Sequence, residues 1–210
     1  MKGLPIVLFV LLLTGLLLGA GCTQQGAGTA TPAAAPSLSA YALTAADAPA
    51  NFTLTESRAK TPEEVGNLAK SLGWNGGYMV TFTGPKDSPT GATSITQTIT
   101  TYPAAKMSDI AALIETNDRG DNELTFTDLQ SPGLGENSRA FSGRAIGQIV
   151  MRENNDNPLV QGSMKGTFKQ NMVEIIFAKG STLEVLRMTG ADADPATLMK
   201  LAQKAYAKIP

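Results

Sequence analysis

The sequence predicts an α+β domain, an antiparallel sheet of about six or seven strands with about three helices packed on it. Three observations carry that reading. Short apolar–polar alternations of period two recur along the chain and are joined mostly by hairpin-length connections. Three other stretches repeat apolar residues at helical spacing. The single cysteine, Cys22, lies ahead of all of them, so the domain must hold itself together by packing and not by disulfides.

In chain order, the first helix opens at Thr61-Pro62-Glu63-Glu64, a capping box with proline at the first helical position. Val65, Leu68, Ala69 and Leu72 then share one face, and Gly73 ends it. A strand follows at Tyr78, Val80 and Phe82, alternating with Met79 and Thr81, and another at Ile95 and Ile99 among Thr96, Thr98 and Thr100. The second helix spans about 104–116, with Met107, Ile110, Ala111 and Ile114 in step. Leu124 and Phe126 mark a short strand, and strands are expected over 141–151, 161–168, 172–179 and 182–189. The last two form a hairpin about Gly180-Ser181, in a register pairing Lys179 with Thr182, Ile175 with Leu186, and Glu174 with Arg187. Apolar residues on both of its faces place the hairpin near the sheet centre, and the Glu174–Arg187 pair is expected as surface support. Asp194-Pro195 starts the final helix, which repeats Leu198, Leu201, Ala202 and Ala205.

The N-terminus has the order of an export signal. Lys2 is the positive start, Leu4 to Leu18 the apolar stretch, and Gly19-Ala20-Gly21 the small residues before Cys22. Small side chains there let a peptidase close on extended backbone and leave the thiol free to take a diacylglycerol. This divides the chain into a lipoprotein signal over 1–21, a lipidated Cys22 with a disordered Ala/Thr/Pro/Gly tether over 22–40, and one extracytoplasmic domain over 41–210. The tether has almost nothing to bury, so it cannot offset its ordering entropy. The alternative is an uncleaved transmembrane helix, for which Leu4 to Gly21 is at the short end of the roughly 17–25 residues required. Both readings put the domain outside the membrane.

Cleavage removes only Lys2 among the charges, leaving 16 basic and 18 acidic side chains. That balance offers no footprint for nucleic acid. The chain has no histidine. Histidine triads, Cys–His pairs and His- or Cys-based zinc and haem sites are therefore excluded by composition. Neither a cofactor nor a metal site is predicted, and no catalytic residue is assigned.

Several landmarks resemble the PsbP-like family, including the LpqN-type lipoproteins. They are Phe52-Thr53-Leu54 before the first helix, Leu72-Gly73-Trp74 at its end, and Ile99 to Pro103 before the second helix. Gly135-Glu136-Asn137-Ser138-Arg139-Ala140 and Ile176-Phe177-Ala178-Lys179-Gly180 follow, then Gly190 and the last helix. Members often carry Asp at the place of Glu136. The Gly19 at the lipobox, with Gly-Cys-Thr-Gln, is similar to archaeal lipoproteins. The resemblance, over about 41–210, implies a central antiparallel sheet between helices and a binding or assembly role at membranes. It brings no catalytic residue.

The candidate ligand-contacting positions lie on loops, where binding residues concentrate. Trp74, beside Asn75-Gly76-Gly77 and Tyr78, could stack a sugar or instead close a helix-to-strand turn in the core. Asp118, Asp121 and Glu123 belong to an oxygen-rich stretch, 117–123, whose spacing fails the EF-hand template. Asp156 lies in a second polar loop, 153–158. Arg119-Gly120-Asp121 matches an adhesion tripeptide by letters, Asn51-Phe52-Thr53 is a glycosylation sequon, and Thr96, Thr98 and Thr100 form a hydroxyl row. The expected function is a non-enzymatic, lipid-anchored binding or assembly module that takes a partner protein or small ligand at the outer membrane face, with the membrane, through lipid on Cys22, and a membrane or envelope protein as partners. The rivals are a carboxylate-based hydrolase of cell-surface glycan and a purely structural envelope protein.

Overall fold

The computed structural model describes residues 37–85, 92–120, 124–135, 137–151 and 164–210, with backbone alone over 146–151 and 164–170. The expected signal, Cys22 and the expected tether as far as residue 36 lie outside the described residues.

The domain is α+β. Seven strands form one antiparallel sheet: β1 (Thr53–Ala59), β2 (Gly77–Thr83), β3 (Ser94–Thr101), β4 (Thr125–Asp128), β5 (Arg139–Met151), β6 (Met164–Lys179) and β7 (Thr182–Gly190), in the order β1-β2-β3-β7-β6-β5-β4. Three α-helices accompany it: α1 (Asn67–Ser71), α2 (Met107–Asp118) and α3 (Pro195–Lys208).

The β6–β7 hairpin has the expected register, with Lys179 opposite Thr182, Glu174 opposite Arg187 and Gly180 at φ +60°. It sits at the sheet centre, as its two-sided apolar pattern requires. The strands differ from expectation in two places. β1 is a polar edge strand carrying no apolar alternation, held by pairing with β2 alone. β6 runs unbroken through Lys169-Gln170-Asn171, where two strands were expected. Among the described residues, β5 and β6 pair only with each other beyond Arg144 and Asn171, from Ala145–Gln170 to Met151–Met164, as a two-stranded ribbon.

Period two sends alternate residues to opposite faces. One face presents Val80, Phe82, Ile95, Ile99, Ile175, Phe177, Leu186 and Met188 to α3, whose Leu198, Leu201, Ala202 and Ala205 are all buried. Asp194 caps α3 by accepting the Thr197 N–H at 2.8 Å, as its sequence predicts. Leu38–Tyr41, whose first three residues were expected in the tether, form a 3-10 turn instead. The reason is that Tyr41, Ala42 and Leu43 bury themselves in this same core. The other face presents Phe141, Met172, Ile176, Ala178 and Leu183 to Met107, Ile110 and Ala111 of α2.

The first helix is shorter than its capping box suggests. The box forms, but only a 3-10 turn, Pro62–Glu64, follows it. Val65 and Gly66 leave helical geometry before α1 begins, so the predicted helix breaks in two. At its far end the Gly73 N–H donates to Lys70 and the Trp74 N–H to Ala69, with Gly73 at φ +92°. This is a Schellman ending, which sets Trp74 back against the turn it terminates.

Candidate functional site

The α2 side of the sheet is only partly covered. α1 and α2 leave an open trough of about 400 Å³ between them, walled by Leu68, Ala69, Leu72, Ile110, Leu113 and Ile114, with Tyr102 at its base. Leu68 and Leu113 are 58 % and 38 % exposed, two of the three large hydrophobic side chains left exposed among the described residues. The trough ends at Asn117 and Asp118, the last residues of α2. Ile114 and Asp118 also border a second hollow of about 270 Å³, floored by Thr96, Thr98, Val185 and Arg187. An apolar channel therefore opens onto a hydroxyl-bearing shelf, with Asp118 at the junction.

Beneath Asp118 lies a compact ionic cluster. Arg187 Nη2 is 2.7 Å from Asp118 Oδ2 and 2.5 Å from Glu174 Oε2, and Arg187 Nε also donates to Glu174. Glu174 is fully buried, against the expectation of a surface pair, because α2 closes over β6 and β7. Its Oε1 has no hydrogen-bond partner among the described residues. Burial pushes its carboxyl up to about 8, opposed by Arg187 and reinforced by the neighbouring Asp118, so it holds a proton at neutral pH. Alongside, Glu115 of α2 pairs with Arg119 and with Arg139 of β5, and Arg119 also pairs with Asp128. Acidic side chains at a helix C-terminus oppose the helix dipole. Here arginines from β5 and β7 offset them and tie the end of α2 to the sheet.

The structure brings two of the sequence candidates to this region. Trp74 packs with Ala69, Leu72 and Ile114 against the core under α2, its indole N–H without a partner among the described residues. Asp118 stands at the junction of the two hollows. Tyr78 is elsewhere: it packs on the α3 face, its hydroxyl 2.9 Å from Ser57 Oγ. Asp121, Glu123 and Asp156 lie outside the described residues. In the adhesion-like triplet, Arg119 is turned inward, paired as above and lying 4.6 Å over the Phe141 ring. Of the threonine row, Thr96 and Thr98 floor the shelf while Thr100 is buried. No group of three or more His, Cys, Asp or Glu suited to a metal ion occurs among the described residues.

Sequence reasoning missed the trough walls Leu68 and Leu113, and it took Glu174–Arg187 for surface support. The hairpin register was signal enough to find the pair. Its burial depends on where α2 lands, which no local pattern records.

Chemically, this arrangement is suited to binding. Asp118 and Glu174 do converge, but Arg187 stands against both, and Glu174 has no exposed atom with which to meet a substrate. No protein-family model, curated protein or solved structure matches the chain.

Proposed function

We propose that the chain is a lipid-anchored binding module at the outer face of the cell membrane, taking its ligand or partner in the trough between α1 and α2. The carrying observation is that the trough exposes Leu68 and Leu113 and runs to a polar end at Asp118. Open apolar channels with a few polar groups at one end are the usual form of small-ligand sites. The anchor rests on the lipobox order ending in Cys22 and on the PsbP-like resemblance. Among the described residues no helix is long and apolar enough to cross a membrane.

The test is co-purification from detergent-solubilised membranes, comparing the intact chain with Cys22→Ser and with Leu113→Asp. A bound molecule retained by the first two and lost from Leu113→Asp supports the reading. Recovery of nothing from any of them removes it. Intact mass supports the anchor if the chain begins at an acylated Cys22, and a mass that retains residues 1–21 overturns it.

A second reading, a hydrolase of cell-surface glycan, draws on the approach of Asp118 and Glu174 through Arg187. A general acid must reach the leaving oxygen, and the burial of Glu174 opposes this. Release of sugar from envelope glycan that both Asp118→Asn and Glu174→Gln abolish would favour it. A purely structural envelope role has no use for an open trough.

A further inference from the structure

We propose that residues 38–47 are a latch over the α3 face of the sheet, worked by Glu184 of β7: docked while that carboxyl carries a proton, released when it ionises. The segment follows the expected tether, so its release also lengthens the free chain behind the proposed anchor. That consequence rests on the anchor; the latch itself does not.

The segment is held without strand pairing. Among the described residues, every backbone–backbone hydrogen bond of residues 37–52 stays inside the segment, such as the Ala42 N–H to Ser39 and the Asp47 N–H to Thr44. Among the same residues, its polar ties to the rest of the domain run through three side chains. Gln97 of β3 accepts the Leu43 N–H at 2.7 Å and donates to the Tyr41 carbonyl at 3.4 Å. Lys208 of α3 donates to the Ala42 carbonyl and to the Asp47 carboxylate, and Lys204 to the Asp47 carbonyl. Tyr41, Ala42 and Leu43 add apolar contact with the core.

Glu184 is linked to two of those three side chains. It is fully buried, its Oε2 accepts from Gln97 Nε2 at 2.8 Å, and its Oε1 has no partner among the described residues. Lys208 is near enough for its charge to favour the ionised form. A neutral carboxylic acid tolerates this place, whereas a carboxylate there needs water or a paired cation. Water reaches it at least cost past the latch, because β3, β7 and β6 are central strands with ladders to break and the latch has none. Ionisation also offers Lys208 a second carboxylate, in competition with Ala42 and Asp47. Of the other charged groups at this end of the α3 face, Lys179 of β6 donates to the Ile209 carbonyl, Lys204 is committed as above, and Asp47 is bound to Lys208. The phenols are Tyr41 of the latch, Tyr78 of β2 and Tyr206 of α3.

Burial raises the Glu184 carboxyl to about 7, opposed by Gln97 and Lys208. On release it regains water and its ordinary value of 4.5. Docking is therefore favoured in full below 4.5 and weakens as pH rises through about 7, so the released fraction grows about tenfold from pH 6 to pH 8.

Hydrogen exchange on the full chain in detergent, read by mass spectrometry at those two pH values and corrected for the intrinsic rate at each, tests this. Peptides covering 38–47 are expected to lose protection about tenfold from pH 6 to pH 8, and at both to be less protected than β3 and β7. Glu184→Gln should hold them at the pH 6 level throughout. Lys208→Met, at a part-exposed position, should lower their protection at both pH values and leave β3 and β7 better protected than they are. Protection of 38–47 that is the same at both pH values overturns the latch. So does protection as strong as that of β3 and β7, which would mean that the segment opens only when the whole domain unfolds. A pH response that persists in Glu184→Gln, or protection unchanged in Lys208→Met, overturns it as well.

Discussion

The two faces of the sheet use the same strands and end differently. On one, α3 and residues 41–43 bury the central strands. Leu198, Ala202, Ala205, Phe177 and Leu186 are all shut from solvent, and Tyr206 packs edge-on against Phe177 at 5.7 Å. Several polar groups there are paired, although Glu184 Oε1 has no partner among the described residues. Gln97 accepts the Leu43 N–H at 2.7 Å and donates to Glu184 at 2.8 Å, while Lys208 donates to the Ala42 carbonyl and to Asp47. On the other face, a five-residue α1 and a twelve-residue α2 leave apolar surface uncovered between them. Alternation in the strands prepares two apolar faces; the length and continuity of what lands on each decides whether it becomes sealed core or open trough.

The sharpest way to break this comparison is to delete equal volume on each side. Leu198→Ala should cost about 2–5 kcal/mol, as for a fully buried leucine, and Leu113→Ala within about 1 kcal/mol. Denaturant midpoints measure both, and equal losses would show that the open face is packed after all.

Next in size is the response to pH. Burial raises the Glu174 carboxyl to about 8 and that of Glu184 to about 7, the latter opposed by Gln97 and Lys208. Both lie above their unfolded value of 4.5, so stability is full below that value and falls as pH rises to about 8. The fall should be on the order of a few kcal/mol. Asp47 runs the other way. Despite some burial, its bonds to Lys208 and Thr44 hold it at about 2, and its contribution is lost as pH falls below about 4 toward that value. The thermal midpoint should therefore peak near pH 4. Glu184→Gln should flatten the part of the fall below pH 7 and leave the part that extends to pH 8; an unchanged profile would mean that Glu184 does not titrate in this range.

A smaller loss is expected at Gly190, where β7 leaves the sheet at φ +135° and an added Cβ would lie 2.5 Å from Thr93 Oγ1. Gly190→Ala should cost about 1–3 kcal/mol in chemical denaturation. The smallest effect is at the Asp47–Lys208 pair: Asp47→Asn should cost about 0.5–1 kcal/mol at neutral pH, and less in high salt. Salt-independent loss would point to packing instead of charge.

Much of the fold could be read locally, because its causes are local. The α3 cap needs only Asp194 and the chain three residues on; the β6–β7 turn needs only Gly180 and matched flanks. The misreadings fall where the cause is distant. β1 consists of Thr, Glu, Ser and Arg with one Leu and one Ala, and becomes a strand because β2 offers it an edge. The polar run at Lys169-Gln170-Asn171 stays extended because β5 pairs along its length. Val65 and Gly66 interrupt a helix that the capping box correctly starts. In the candidate site, Trp74 and Asp118 were visible as an aromatic beside glycines and an acid in a polar stretch. Leu68 looked like any residue of a buried helical face, and its exposure arises only because α1 is short and set apart from α2.

By itself the sequence determined the class of the fold, the central hairpin with its register and the exclusion of histidine and disulfide chemistry. Each follows from composition or from contacts a few residues apart. Only the tertiary structure decided that Glu174 is buried, that Arg187 bridges it to Asp118, and that one face of the sheet stays open. Those depend on where α1 and α2 come to rest across strands far away in sequence, and the alternation that makes a face apolar does not say what will cover it.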